Sequence, residues 1–106
     1  MIYVPTDSTT ATTFRLRGEQ TVRTIVQTHQ ALGKAFARSP ALVIDASEIT
    51  EADLTVVQLI ESARRSAARD GKKICMTSPP PEALRDVLIR GGFLNAPDNA
   101  LFWATP

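Results

Sequence analysis

The chain has 106 residues, of which 43% are hydrophobic and 22% are charged, and this predicts one domain (1–106) with its own core. Lys and Arg total 12 and Asp and Glu total 11, and the net charge of +1 argues against a nucleic-acid binder that relies on a large positive field. A single Cys and a single His exclude an intramolecular disulfide and a cysteine-based zinc site, so we expect no metal and no cofactor.

Two strands and a helix are predicted for the first 40 residues. Ile2–Val4 is typical of a short edge strand, and Thr12–Arg17 predicts a second strand that forms a hairpin with it and ends at Gly18. A helix follows, because apolar residues then recur at helical spacing, and Ser39-Pro40 ends it. This stripe consists of Val22, Ile25, Val26, His29, Leu32 and Phe36.

The middle of the chain predicts a buried strand followed by a second helix. Ala41–Ile44 is a continuous apolar run, which is typical of a strand buried on both faces. A polar connection then runs from Asp45 to Asp53. The second helix ends at Asp70-Gly71, where glycine suits the left-handed position. Its apolar side consists of Val56, Val57, Ile60, Ala63, Ala67 and Ala68.

The last third predicts one more strand and helix. Ile74–Thr77 is a short strand, and the prolines that follow Ser78 open a third helix that ends at Gly91-Gly92. Leu101–Trp103 is a candidate for a last edge strand. The predicted order is therefore β-β-α-β-α-β-α, an α/β fold with a mixed, mostly parallel sheet.

The lone nucleophilic and basic side chains favour structural roles. His29 lies on the apolar stripe of the first helix, which indicates a half-buried histidine. Cys75 lies inside an apolar strand, which predicts a buried thiol, and a free thiol suits a reducing compartment. No signal peptide is evident at the start, and the longest apolar run, Ala100–Ala104, is far shorter than the roughly 20 residues that span a bilayer. We therefore expect a cytoplasmic protein that does not insert into membranes.

The segment from Asp45 to Val57 is the most informative part of the chain. It connects the end of a buried strand to the start of a helix, the edge of a parallel sheet where ligands and partners bind. Asp53 is a suitable N-cap for the second helix, and Thr50 is an alternative cap one turn earlier; with Asp53 as the cap, Thr55 lies in the first turn. A plain capping loop with solvating charge is the alternative interpretation. The candidate partner-binding residues are Asp45, Ser47, Glu51, Asp53, Leu54, Val56 and Gln58.

Several segments in order resemble the STAS domain, the fold of anti-sigma factor antagonists, over Thr13–Leu94. The markers are Leu42-Val-Ile-Asp-Ala-Ser-Glu-Ile, Asp53-Leu-Thr-Val, Gly71-Lys-Lys-Ile-Cys-Met, and Ser78-Pro-Pro-Pro-Glu-Ala-Leu-Arg-Asp-Val-Leu with Gly91-Gly92-Phe93-Leu94. The resemblance puts Asp53 at the family's acidic position and Thr55 at its phosphoacceptor position. Leu54 and Val56 stand where the family carries a small or hydroxyl residue and a glycine, and a valine narrows the approach of a partner's backbone.

The resemblance implies a non-enzymatic bacterial regulator. Its partner would be an anti-sigma factor or a serine-kinase-like protein docked around Asp45–Gln58, with Thr55 as the phosphorylation site. Two alternatives keep the fold: an accessory subunit bound to the ATPase of a lipid-transport ABC complex, and a chemotaxis-associated protein. An enzyme would instead need Asp45, Glu51, Asp53 and His29 to converge, with Mg²⁺ as a suitable ion for the carboxylates.

Overall fold

The computed structural model describes residues 11–77 and 79–104 and contains alternating strands and helices. In chain order the elements are β1 (Ala11–Gln20), α1 (Ile25–Arg38), β2 (Ala41–Ala52), α2 (Leu54–Asp70), β3 (Lys73–Met76), α3 (Glu82–Arg90) and α4 (Pro97–Ala104). The hairpin strand predicted at Ile2–Val4 lies outside the described residues.

The described strands form a parallel sheet in the order β1-β2-β3. The register places Phe14, Ile44 and Met76 side by side, so these side chains share one face of the sheet. Helices α1, α2 and α3 all pack on that face, because Leu42 contacts the buried residues of α1 and Ile44 contacts those of α2 and α3. The predicted α/β class with a mostly parallel sheet is confirmed.

Strand β2 is longer than the sequence pattern predicts. The segment predicted as a polar connection continues the strand to Ala52 and pairs with the second half of β1. Ala46 and Ile49 are 2% and 4% exposed, and these two inward side chains keep the polar segment on the core. The pairing passes two register shifts, and Gly18 adopts a φ of +64° between them instead of ending β1.

Helix α1 presents only part of the predicted stripe to the core, namely Ile25, Leu32 and Phe36. Leu32 and Ala35 are buried, whereas His29 is exposed rather than half-buried. Val22 precedes the helix and is 66% exposed, and Val26 is 64% exposed. Apolar residues occupy two neighbouring faces of this segment, and the packing of Leu32 and Ala35 against Leu42 of β2 selects one of them.

The C-terminal segment is a helix and not the predicted edge strand. Pro97 occupies the first helical position, where its missing N–H needs no partner, and Asp98 follows in the first turn. The helix also buries Trp103 completely in the core beneath α2.

Trp103 is held by a polar cluster that we call the C-terminal clamp, which consists of Glu61, Arg64, Asn99, Phe102 and Trp103. The indole Nε1–H donates to Glu61 Oε2 at 2.8 Å. Arg64 donates to Glu61 at 3.2 Å and to Asn99 at 2.8 Å, and its guanidinium lies 4.2 Å from the centre of the Phe102 ring. Each polar group that α4 buries therefore has a partner on α2.

The ends of α2 and α3 agree with the sequence, but the position of Cys75 does not. Gly71 ends α2 with a φ of +71°, and α3 ends before Gly91 with Leu84 and Leu88 buried. Cys75 is exposed. Its neighbours in the strand, Ile74 and Met76, face the helices, so alternation turns the Cys75 side chain to the opposite face of the sheet.

Candidate functional site

Asp53 organises the junction between β2 and α2. It caps the helix from an extended backbone conformation, and its Oδ1 accepts the N–H of Thr55 at 2.9 Å. The same oxygen accepts a short hydrogen bond from the Thr55 hydroxyl. Aspartate suits this position because its carboxylate satisfies amides that have no partner within the helix.

The same side chain also fixes the connection between β1 and α1. Asp53 Oδ2 accepts the N–H of Val22 at 2.9 Å, across 31 residues of sequence. The Asp53 N–H donates to the Gln20 carbonyl at 3.3 Å. One residue therefore joins two βα connections at the carboxyl edge of the sheet, where binding sites of parallel sheets form.

Opposing influences act on the pKa of Asp53. Burial is the largest single influence and raises this pKa, because it disfavours the charged form. The hydrogen bonds from the Thr55 hydroxyl and from the amides of Val22 and Thr55 together outweigh it, so the pKa lies below its usual range. Asp53 is therefore a charged acceptor at neutral pH.

The Thr55 hydroxyl lies at the open N-terminal end of α2. The Thr55 residue is half-buried, and Leu54 beside it is 44% exposed. A phosphate on this hydroxyl would meet the positive end of the helix dipole and unpaired amides. It would also meet the nearby negative charges of Asp53 and Glu51. A charge added at this hydroxyl would therefore be favoured by the helix start and opposed by these carboxylates.

Aliphatic side chains flank this hydroxyl on two elements, and we call the surface formed by Val22, Val26, Leu54 and Thr55 the docking edge. The N–H of Val22 donates to the Asp53 carboxylate, Leu54 follows Asp53 in the chain, and Val26 lies four residues after Val22, in the first turn of α1. The sequence pattern did not identify Val22 and Val26 as surface residues, because their spacing is equally compatible with a buried helical stripe. Their exposure becomes visible only in the packed structure.

A charged and hydroxyl-rich turn borders the docking edge. Arg23 forms an ion pair with Glu19 at 2.8 Å, and the Thr21 hydroxyl donates to the same carboxylate at 2.5 Å. The Thr21 hydroxyl, followed by Arg23, lowers the pKa of Glu19. Thr24 donates its hydroxyl to the Glu19 carbonyl at 3.0 Å, which holds the turn before α1. Sequence reasoning missed this turn, since its polar residues have no distinctive spacing.

The remaining predicted residues do not all lie at the start of α2. Asp45 and Ser47 lie in β2, eight and six residues before Asp53, and at ~3.3 Å per residue eight strand residues span roughly 26 Å. Glu51 in β2 and Gln58 in α2 are both exposed.

Val56 is a correction to the predicted binding surface. Its side chain is 0% exposed and belongs to the hydrophobic core. A side chain that points into the core neither contacts a partner nor narrows the approach of a partner's backbone to the helix start. The exposed aliphatic group at this edge is Leu54.

Asp45 is engaged within its own strand. It accepts the hydroxyl and the N–H of Ser47, at 2.7 and 3.0 Å, and lies 3.6 Å from Arg15. The Ser47 hydroxyl, followed by the Ser47 N–H, lowers the pKa of Asp45. These contacts make Asp45 part of the β1–β2 pairing rather than of the docking edge.

Across residues 11–77 and 79–104, no group of three or more His, Cys, Asp and Glu side chains is arranged to hold a metal ion. His29 lies on the exposed side of α1, and the hydrogen bonds of Asp45 and Asp53 come from other residues. The same part of the chain contains no helix with the length and apolar character needed to cross a membrane.

Comparison with known proteins gives a family and a fold. The model of the family described as "Mlab, STAS domain" matches residues 6–95. The solved structure of the anti-sigma factor antagonist SpoIIAA in its unphosphorylated form is similar, with a TM-score of 0.65 and 17% identity over 89% of this chain and 88% of that chain. No curated protein sequence matches the chain significantly. At this identity the structural likeness shows the fold.

Proposed function

Because the chain belongs to the STAS domain family, we propose that it is a cytoplasmic regulatory protein that docks a partner protein on the docking edge and is released by phosphorylation of Thr55. It acts by binding and not by catalysis, and any kinase activity belongs to the partner. The observation that carries this proposal is the hydroxyl of Thr55, held by Asp53 at the open start of α2 between exposed aliphatic side chains.

The docking edge has the composition of a binding surface. Of the five large hydrophobic side chains exposed among residues 11–77 and 79–104, Val22, Val26 and Leu54 belong to it. Exposed apolar groups that cluster beside polar ones are typical of protein interaction sites. The ties from Asp53 to Val22 and Thr55 fix the two parts of this surface relative to each other, so little order has to be gained on binding.

Phosphorylation of Thr55 would act on binding more than on folding. A phosphate adds about −1.5 to −2 charge at neutral pH. The amides and dipole of α2 stabilise that charge, while Asp53 and Glu51 oppose it, so the two effects on the free energy of unfolding largely offset each other. A partner that covers the docking edge must desolvate the phosphate or clash with it, and we therefore expect a large loss of affinity.

The proposed partner is an anti-sigma factor or a serine-kinase-like regulator. The similar solved structure is that of an anti-sigma factor antagonist in its unphosphorylated form. Phosphorylation at the family's acceptor position, which Thr55 occupies here, is the corresponding switch.

A second candidate function is supported by Leu54. This leucine, 44% exposed, adds apolar contact area directly beside the hydroxyl, which favours a lasting contact. The same edge would then dock on the ATPase of a lipid-transport ABC complex, and Thr55 would be a contact residue that is never modified.

The test uses photocrosslinking followed by affinity measurements. A photoreactive residue at position 54 in the native host identifies the partner, and the same residue at position 101, a leucine on α4 that is 62% exposed against 44% for Leu54, is the matched control. The affinity of that partner is then measured for the wild type, Thr55→Ala and Thr55→Glu. Thr13→Glu, at an exposed position near the start of β1, controls for charge alone.

We expect Thr55→Ala and Thr13→Glu to bind within about threefold of the wild type, and Thr55→Glu to bind more than about tenfold more weakly, a difference of about 1.4 kcal/mol. Equal affinities for all variants would contradict the proposal. Intact-mass analysis of the chain from its native host separates the two candidates, because only the phosphorylation switch requires a phosphoryl group on the protein.

A further inference from the structure

A second surface lies along β3, away from the docking edge. It is a cleft of about 540 Å³ formed by the start of β2, β3, the second half of α2 and α4. Ala67 and Ala68 line it from α2, Ile74 from β3 and Phe102 from α4, and β2 contributes Ala41, Leu42 and Val43. The small alanine side chains leave room next to the strand, and the lining is mainly apolar.

The outer edge of β3 faces this region with free backbone groups. The N–H of Lys73 donates to Pro40 and the N–H of Thr77 donates to Ile44, so alternate residues of β3 hydrogen-bond toward β2. This alternation directs the N–H and C=O of Ile74 away from β2. Among the described strands none pairs with this edge, because β3 is the last strand in the order β1-β2-β3.

The charged side chains among the described residues that line the cleft are all positive. Arg64, Lys72 and Lys73 line it, and no carboxylate is among the described lining residues. Arg64 is partly neutralised by Glu61, and Lys72 donates to the Phe36 carbonyl and lies 4.5 Å from the centre of the Phe36 ring. Lys73 is exposed and forms no ion pair with a described residue, so it is the principal cation offered to a ligand.

We propose that this cleft and the free edge of β3 bind an extended acidic peptide segment, which adds to the sheet as a strand. The backbone groups of Ile74 would pair with the peptide, the apolar lining would receive one of its aliphatic side chains, and Lys73 would meet its carboxylates. The prolines that begin at Pro79 limit pairing to the residues of β3, since proline offers no N–H. A second copy of this chain does not suit the site, because two Lys73 side chains would be brought together.

The experiment uses an acetylated and amidated peptide of alternating Glu and Val, seven residues long, with two matched probes. One probe replaces Glu by Lys, and the other keeps every side chain but methylates alternate backbone nitrogens. Affinity is measured by titration, and amide exchange is followed at Ile74 by nuclear magnetic resonance. The full chain is used throughout, together with the variants Lys73→Glu, Lys34→Glu and Ala68→Phe.

We expect the Glu–Val peptide to bind and to slow exchange of the Ile74 amide. We expect neither the Lys-containing peptide nor the methylated peptide to bind. Lys73→Glu should weaken binding about five- to tenfold, since an exposed ion pair is replaced by repulsion. Lys34→Glu makes the same charge change on the exposed side of α1 and should leave binding unchanged, whereas Ala68→Phe fills the cleft and should abolish it. Thr55→Glu should bind the peptide normally, so this test is independent of the proposed function.

Three results would overturn the proposal. Equal losses in Lys73→Glu and Lys34→Glu would indicate unspecific attraction. Unchanged affinity of the methylated peptide would show that the strand edge is not used. Saturable binding of decanoate, with the Ile74 amide still exchanging freely and no binding of the peptide, would identify a site for anionic amphiphiles instead.

Discussion

Helix α2 leaves polar groups partly open to solvent at its first turn, whereas the polar group near its middle is enclosed by α4. The Asp53 carboxylate and the Thr55 hydroxyl bind each other beside the exposed Leu54. Eight residues beyond Asp53, Glu61 binds the completely buried Trp103. One helix therefore combines a surface available to a partner with an anchor for the C-terminal helix. The contact that anchors α4 and the proposed docking edge lie on different turns of α2. Substitutions should therefore change stability and partner binding separately.

The largest effect on stability is expected at Trp103, the α4 residue that binds Glu61 of α2. Trp103→Ala removes a side chain that is 0% exposed and leaves Glu61 without its indole donor. We expect the free energy of unfolding to fall by about 3–5 kcal/mol. Leu101→Ala, at a residue 62% exposed on the same helix, should stay within about 0.5 kcal/mol of the wild type. Urea denaturation measures both, and similar losses would mean that α4 is not anchored through Trp103.

The second largest effect on stability is expected at Val56, a buried residue in the first turn of α2. Val56→Gly restores the family's glycine but removes a buried side chain and adds a flexible residue to a helix. We expect a loss of about 3 kcal/mol in the free energy of unfolding. Leu54→Ala should cost less than about 0.5 kcal/mol and instead weaken partner binding. A stable Val56→Gly protein with improved binding would restore the view that Val56 obstructs the partner.

A smaller effect is expected from the cap itself. Asp53→Ala removes the acceptor of the Thr55 and Val22 amides, and we expect a loss of about 1–2 kcal/mol. Asp53→Asn keeps one amide oxygen as an acceptor, so its loss should be about half as large. Amide exchange at Val22 should accelerate in the alanine variant. Unchanged exchange there would show that the two βα connections are not coupled through Asp53.

The smallest effect is the contribution of the Asp53 cap to the pH dependence of the free energy of unfolding. Because the pKa of Asp53 is lower in the folded protein, its contribution to stability is fully present above about pH 4 and is lost as the pH falls through the lowered pKa. Asp45 behaves in the same way, because the hydroxyl and N–H of Ser47 lower its pKa. Urea titrations from pH 6 to pH 2 should show a shallower decline for Asp53→Asn than for the wild type. Parallel curves would assign the acid sensitivity to other groups.

The order of elements from β1 to α3 was predictable from the sequence because each signal was local. Gly71 could end α2 because glycine favours the left-handed conformation that it adopts there, and Asp53 was identified as the cap of α2 from its residue type and position. The position of Thr55 in the first turn follows directly from that cap.

The errors arose where distant contacts decide the structure. The residues after Asp45 look like a loop, but β1 pairs with them and Ala46 and Ile49 hold them on the core. The prediction for α1 was wrong at Val22, Val26 and His29, because two apolar faces compete and packing against Leu42 selects between them. The tie between Val22 and Asp53 spans 31 residues and has no sequence pattern, so half of the docking edge could not be predicted.

Trp103 has a further consequence for anyone who studies this protein in solution. It is the chain's single tryptophan, enclosed in the core and edge-on to Phe102 with ring centres 5.2 Å apart. Its ultraviolet emission is therefore an intrinsic signal for the seating of α4, and exposure to water would shift that emission to longer wavelength. Ligands that occupy the start of α2 should leave the colour of this signal unchanged, so fluorescence distinguishes an unfolded variant from one that merely fails to bind.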